Sequence, residues 1–166
     1  MNTSPNQLPN LISKTHSGFT LIELMVTIAV LAIIVGIAAP NISVQLAQNQ
    51  IKSTSTIVQT SIARAKSEST IRRSSITWNY NNTNALITLV DNSTTIASYN
   101  LNSRSSLTFN PATVTTLSIS KEGNITTPAG GAVDLAIDIG DTRAGATTQR
   151  VRVNTKRAFE CSGTNC

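Results

Sequence analysis

The chain has one histidine, His16, and two cysteines, Cys161 and Cys166, in 166 residues. A lone imidazole near the N-terminus supplies neither a Ser-His or Cys-His nucleophile pair nor a histidine-based metal site. The cysteines sit at the C-terminal end, in no zinc or CxxC spacing. There is no Gly-rich phosphate loop and no EF-hand spacing. Enzymatic chemistry, a cofactor and a small-molecule substrate are therefore not expected. Aromatic residues are scarce at 4% and charged residues at 13%. A disordered chain would carry more charge and fewer aliphatics, so one small β-rich domain with polar turns is expected.

The apolar residues are concentrated at one end. Residues 1–18 are polar, with Lys14 their only Lys, Arg, Asp or Glu. The 21 residues from Phe19 to Ala39 are apolar or small, except Thr20, Glu23 and Thr27. As a helix they span roughly 32 Å, enough for a bilayer core of ~30 Å. Pro40 follows and is the place for a kink. Beyond it, Ile42, Leu46, Ile51, Ile57, Val58, Ile62, Ala65 and Ser69 recur at near-helical spacing. One long helix is expected from about Thr20 to Ser69, its second half lying on a globular head.

Gly18-Phe19-Thr20-Leu21-Ile22-Glu23 resembles the processing motif of type IV pilins and pseudopilins. The resemblance implies that a prepilin peptidase cuts between Gly18 and Phe19 and that Phe19 becomes N-methylated. It also implies that Glu23 pairs with the N-terminal amine of a neighbouring subunit. That pairing has a physical motive, since a bare carboxylate in hydrocarbon costs at least ~2.5–3.5 kcal/mol. Ala63-Arg64-Ala65-Lys66-Ser67-Glu68, Ile71-Arg72-Arg73 and Ile76-Thr77-Trp78 resemble the helix end and first strand of one subfamily. It contains the H-type pseudopilins of type II secretion and the FimT-type minor pilins.

From Ser75 the pattern changes to period two. Ile76, Trp78 and Tyr80 alternate with polar residues. Strands are expected at 85–90, 96–101, 107–110, 114–120, 132–139 and 149–154, the last closing the sheet. Turns are expected at 81–84, 91–93, 121–124 and 128–131. In the 132–139 strand Val133, Leu135, Ile137 and Ile139 share one face, and Asp134 and Asp138 the other. Those carboxylates, with Asp141, offer oxygens to a hard cation, but a polar strand face explains them as well, and no metal site is expected.

Arg143, Arg150, Arg152, Lys156 and Arg157 are basic, and no acidic residue lies between Asp141 and Glu160. Arg150 and Arg152 point the same way in a strand while Val151 and Val153 face the core. A basic stripe able to grip phosphates non-specifically is expected at one tip. FimT-type pilins carry a Gly-Arg-x-Arg motif in this region, linked there to DNA binding and natural transformation. Lys156-Arg157-Ala158-Phe159 resembles it imperfectly: Lys156 replaces the Gly and Phe159 the second Arg, though Phe159 can stack on an unpaired base. Cys161 and Cys166 either close a short disulfide in an oxidising compartment or remain two thiols at the chain end.

The expected architecture is α+β: a leader (1–18), a membrane or filament-core helix (19–40), an amphipathic half-helix (41–73) and an antiparallel β head with a basic tail (74–166). The resemblance implies a single-pass protein of the bacterial inner membrane. Its head lies in the periplasm, and it later joins a pilus or pseudopilus. Its partners are other pilin or pseudopilin subunits, the prepilin peptidase and, through the tail, DNA. A purely structural H-type pseudopilin or an assembly-priming minor pilin remains the alternative.

Overall fold

The computed structural model describes residues 18–143 and 145–161. The chain divides into two units, one ending at Ala38 and one beginning at Ala39. One helix, α1 (Leu21–Arg72), contributes to both.

In the first unit Thr20 caps α1. Its hydroxyl accepts the Glu23 N–H at 3.2 Å and its carbonyl the Leu24 N–H at 3.2 Å. Thr20-x-x-Glu23 is the spacing of a capping box. Every described side chain from Phe19 to Ile37 is exposed. No single helix among the described residues is long and apolar enough to cross a membrane. Leu21–Ile37 and Asn41–Arg72 meet that length and composition only as a broken pair. Pro40 lies in the short stretch between them, where it removes a helical N–H.

In the second unit α1 buries Ala47, Ile51, Thr54, Val58, Ile62, Ala65 and Ser69. That is the i, i+3/i+4 stripe of a helix lying on a core. Ile42 and Leu46, expected on that face, are instead 56% and 53% exposed. Thr54 and Ser69 in the stripe, and the buried Ser55 and Ser61 beside it, are polar, which is why it reads loosely in sequence. Its polar members have partners: Thr54 Oγ1 lies 3.0 Å from Ser105 Oγ, and Ser69 Oγ donates to the Lys66 carbonyl at 2.8 Å. Ser61 Oγ donates to the Val58 carbonyl and accepts the Trp78 indole N–H, both at 2.8 Å.

The helix ends in a left-handed residue, Arg73 (φ 53°), and the Ser74 N–H reaches back to the Ser69 carbonyl at 3.2 Å. This is the Schellman arrangement, with arginine where glycine is usual.

Nine strands follow among the described residues: β1 (Ile76–Asn81), β2 (Leu86–Asp91), β3 (Thr94–Asn100), β4 (Ser105–Asn110), β5 (Thr116–Ile119), β6 (Ile125–Thr126), β7 (Asp134–Asp141), β8 (Gln149–Asn154) and β9 (Ala158–Cys161). They form two antiparallel sheets, ordered β3-β2-β1-β5-β6 and β4-β7-β8-β9. The turns fall where polar and glycine residues predict them. At Asn92-Ser93 both residues have positive φ, joining β2 to β3 through a two-residue turn of the type that matches strand twist.

β6 and β9 are additional to the strands expected from sequence. β6 has two residues, too few for a period to show. β9 is short and lies beyond what reads as the last strand; its register against β8 is what forms it. One core joins α1 to both sheets, through Trp78, Ile87, Leu89, Leu117 and Ile119 of the first and Leu107, Phe109, Leu135, Ile137, Val151 and Val153 of the second. The Tyr80 and Phe109 rings meet across the sheets at 5.5 Å.

Candidate functional site

Two regions carry the residues singled out by sequence. The first is the N-terminal helix. Phe19, Leu21, Ile22, Leu24, Met25 and Val26 are each more than half exposed. A continuous apolar surface of this kind requires lipid or another apolar helix against it. A methyl group added at Gly18 would have no neighbour within 4 Å. The fold itself therefore makes no demand for glycine there. The Glu23 carboxylate has no ion-pair partner among the described residues. The leader, residues 1–17, lies outside the described residues.

The second region is the outward face of β7–β8–β9 and the turn between β8 and β9. Val151 and Val153 are buried and Arg150 and Arg152 point away from the core, as alternation predicts. The arginines are not free cations. Arg150 donates two hydrogen bonds to Asp138, Nε at 2.6 Å and Nη2 at 2.8 Å. Arg152 grips Asp134 at 2.8–3.0 Å. Arg143 holds Asp141 through Nε at 2.8 Å and Nη2 at 2.7 Å, and its backbone N–H also donates to Asp141 at 2.9 Å.

Asp141 is fully buried at its side chain, and the Arg143 hydrogen bonds hold its pKa down to about 2. Hydrogen bonding to Arg150 likewise lowers the pKa of Asp138. The stripe expected from a sequence stretch without acids is thus matched by carboxylates of the neighbouring strand. The register pairs Asp138 directly with Arg150. Even spacing puts each pair on one face, two residues apart for the arginines and four for the aspartates; only the register brings them together.

Lys156 and Arg157 stand apart from that row. The turn holding them is locked by Asn154, whose Oδ1 accepts both the Lys156 and Arg157 N–H groups at 2.9 Å. The Asn154 N–H donates to the Arg157 carbonyl at 2.9 Å. The turn docks on the β5–β6 hairpin, where the Ile125 N–H donates to the Thr155 carbonyl at 2.8 Å and Lys156 Nζ donates to Asn124 Oδ1 at 2.9 Å. From α1, Lys66 Nζ donates to the Lys156 carbonyl. Sequence leaves the distance from Lys66 to the tail open; the fold closes it. The Arg157 guanidinium lies over the Phe159 ring, 4.9 Å from its centroid. Among the described residues Lys66, Lys156 and Arg157 have no carboxylate partner, so three cations from two elements converge on one tip.

No free cysteine is found among the described residues. Cys166, the partner that Cys161 would take, lies outside them.

An exposed apolar helix with a capped start and a single acidic residue, and a head in which the rest of α1 packs on two antiparallel sheets, are the features set against known proteins. The Prokaryotic N-terminal methylation motif matches residues 13–39. The fold is similar to the structure of the minor pseudopilin EpsH from the type 2 secretion system of Vibrio cholerae. The TM-score is 0.51 at 11% identity, over 68% of this chain and 97% of that one. No curated protein sequence matches. The motif match is confined to the N-terminal helix and its approach, and the likeness to EpsH is one of fold.

Proposed function

We propose that the protein is a minor pilin or pseudopilin, cleaved between Gly18 and Phe19, methylated on Phe19, and held in the bacterial inner membrane by a single pass with its head in the periplasm. It then passes into a filament, where the helix packs on neighbouring subunits and Glu23 meets a neighbour's N-terminal amine. Its work is packing and binding, not catalysis. The observation carrying this reading is the unbroken exposure of apolar side chains from Phe19 to Ile37, with one unpaired carboxylate among them. The test is fractionation of cells expressing the full chain beside a prepilin peptidase and a filament assembly system. Mature protein in the inner membrane and in sheared filaments is expected. Absence from filaments when the other subunits assemble would overturn the reading.

A second activity is favoured by the unneutralised cations of the tip. In this FimT-like reading the head grips DNA non-specifically, for uptake during transformation. The contact is carried by Lys156 and Arg157 with Lys66. Arg143, Arg150 and Arg152 instead hold the second sheet together through their aspartates. A disulfide between Cys161 and Cys166 would secure the tail beside this tip. Three phosphate contacts predict a log–log salt slope of about −2.7 for duplex DNA. A slope of about −5.4 would return the other three arginines to the interface. No binding at low salt would leave a structural H-type pseudopilin or an assembly-priming subunit.

A further inference from the structure

We infer that the tip takes single-stranded polynucleotide in preference to duplex, with Arg157 stacked on Phe159 as a platform for one unstacked base; this rests on the nucleic-acid reading above. Trp78, Tyr80 and Phe109 are buried in the core, and Tyr99 packs against its margin. Phe159 is the head aromatic outside that cluster. It lies opposite Arg152 in the β8–β9 register, on the outward face, while Ala158 beside it packs toward the core. Its ring contact is with the Arg157 guanidinium, within cation–π range.

Two features turn this pair into a platform. Arg157 is exposed, so the face of its guanidinium turned away from the ring is open. Its backbone is fixed at both ends by Asn154, so little ordering remains to be done on binding. Lys156 spends one of its three ammonium hydrogens on Asn124, and Lys66 one on the Lys156 carbonyl. The remaining donors serve phosphates on either side of a stacked base. A duplex keeps its bases stacked inward and presents only its backbone here, so the platform adds nothing to duplex affinity. Stacking against a planar side chain does not depend on base identity, so no sequence preference is expected.

The experiment uses the full-length chain in non-ionic detergent, with a labelled oligothymidylate and a mixed-sequence duplex of equal length. The single strand should bind more tightly. Phe159→Leu should weaken it about five- to a hundredfold and leave duplex affinity unchanged. Arg157→Lys, which keeps the charge and removes the plane, should weaken the single strand by more than the duplex without touching β9. Phe159→Trp should restore the preference. Lys156→Gln should weaken both ligands alike. Equal binding of both ligands, or a loss of single strand matched by an equal loss of duplex in the Phe159 and Arg157 variants, would overturn the platform and leave a phosphate grip. Failure of both ligands to bind folded protein at low salt would overturn the nucleic-acid reading itself.

Discussion

At the scale of single residues, two positions show how local chemistry sets stability. Asp141 is buried and receives three hydrogen bonds from Arg143. Its pKa falls from the ordinary 3.8 to about 2 on folding. A depressed carboxylate pKa means that the folded state binds fewer protons than the unfolded chain. The stabilisation is therefore complete above about pH 4 and is lost as pH falls through about 2. Asp141→Asn should cost about 1–3 kcal/mol at neutral pH, because the guanidinium loses its charged acceptor. It should also flatten the stability profile between pH 4 and 2, as read by denaturant midpoints.

Arg73 is the opposite case, an arginine held at φ 53° where a side chain is strained. Arg73→Gly should raise stability by about 1 kcal/mol, read as a higher urea midpoint at an unchanged slope. Its net effect is a gain because the side chain is exposed and makes no ion pair among the described residues.

At the scale of elements, the outward face of β7 and β8 is a row of cross-strand pairs. Asp138 is lined up with Arg150 by register, and Asp134 lies one step diagonal to Arg152. Burial of one face already excludes a one-residue slip, and opposite charges at such positions disfavour the two-residue slip that would keep that face inward. Arg150→Glu should lower the unfolding midpoint by setting two carboxylates together. The swap Asp138→Arg with Arg150→Glu should recover most of that loss. Recovery would show that the row serves the sheet. A midpoint unmoved by Arg150→Glu would show that the pair contributes nothing to it.

The buried stripe of α1 is the companion device. Thr54, Ser61 and Ser69 let the helix approach the sheets closely while each hydroxyl finds a partner, so specificity is gained without an orphaned polar group.

At the scale of the whole molecule, the two units have separate requirements. The head satisfies its core internally, whereas the N-terminal helix leaves its apolar side chains uncovered. Only a surrounding apolar phase, lipid or neighbouring helices, removes that surface from water. Gly18 belongs to neither packing problem, since nothing crowds a side chain there. Gly18→Ile should therefore leave the unfolding of the head unchanged while blocking release of the leader. A gel comparing the precursor and mature forms reads this directly. Release at the normal rate would refute the cut site.

The α+β class, the long helix, most strands and the N-terminal motif were legible in the sequence, because each is local. A 21-residue apolar run, a period near 3.6 and then a period of two report the neighbours that a residue has along the chain. The row Val133, Leu135, Ile137 and Ile139 was readable as a buried face for that reason. The fate of the charges was not legible. Whether Arg150 is a free cation depends on which strand lies beside β8, and that is set by sheet order and register over a long sequence separation. The tip is the same case: Lys66, Asn124 and Lys156 are far apart in sequence and meet only because α1, the β5–β6 hairpin and the β8–β9 turn pack at one end of the head. Ile42 and Leu46 continue the helical period yet remain more than half exposed, since periodicity places a side chain on a face but cannot say where the covering layer stops. Local pattern determined the elements and the N-terminal motif; only tertiary packing decided which cations meet carboxylates, because that depends on strand order and register.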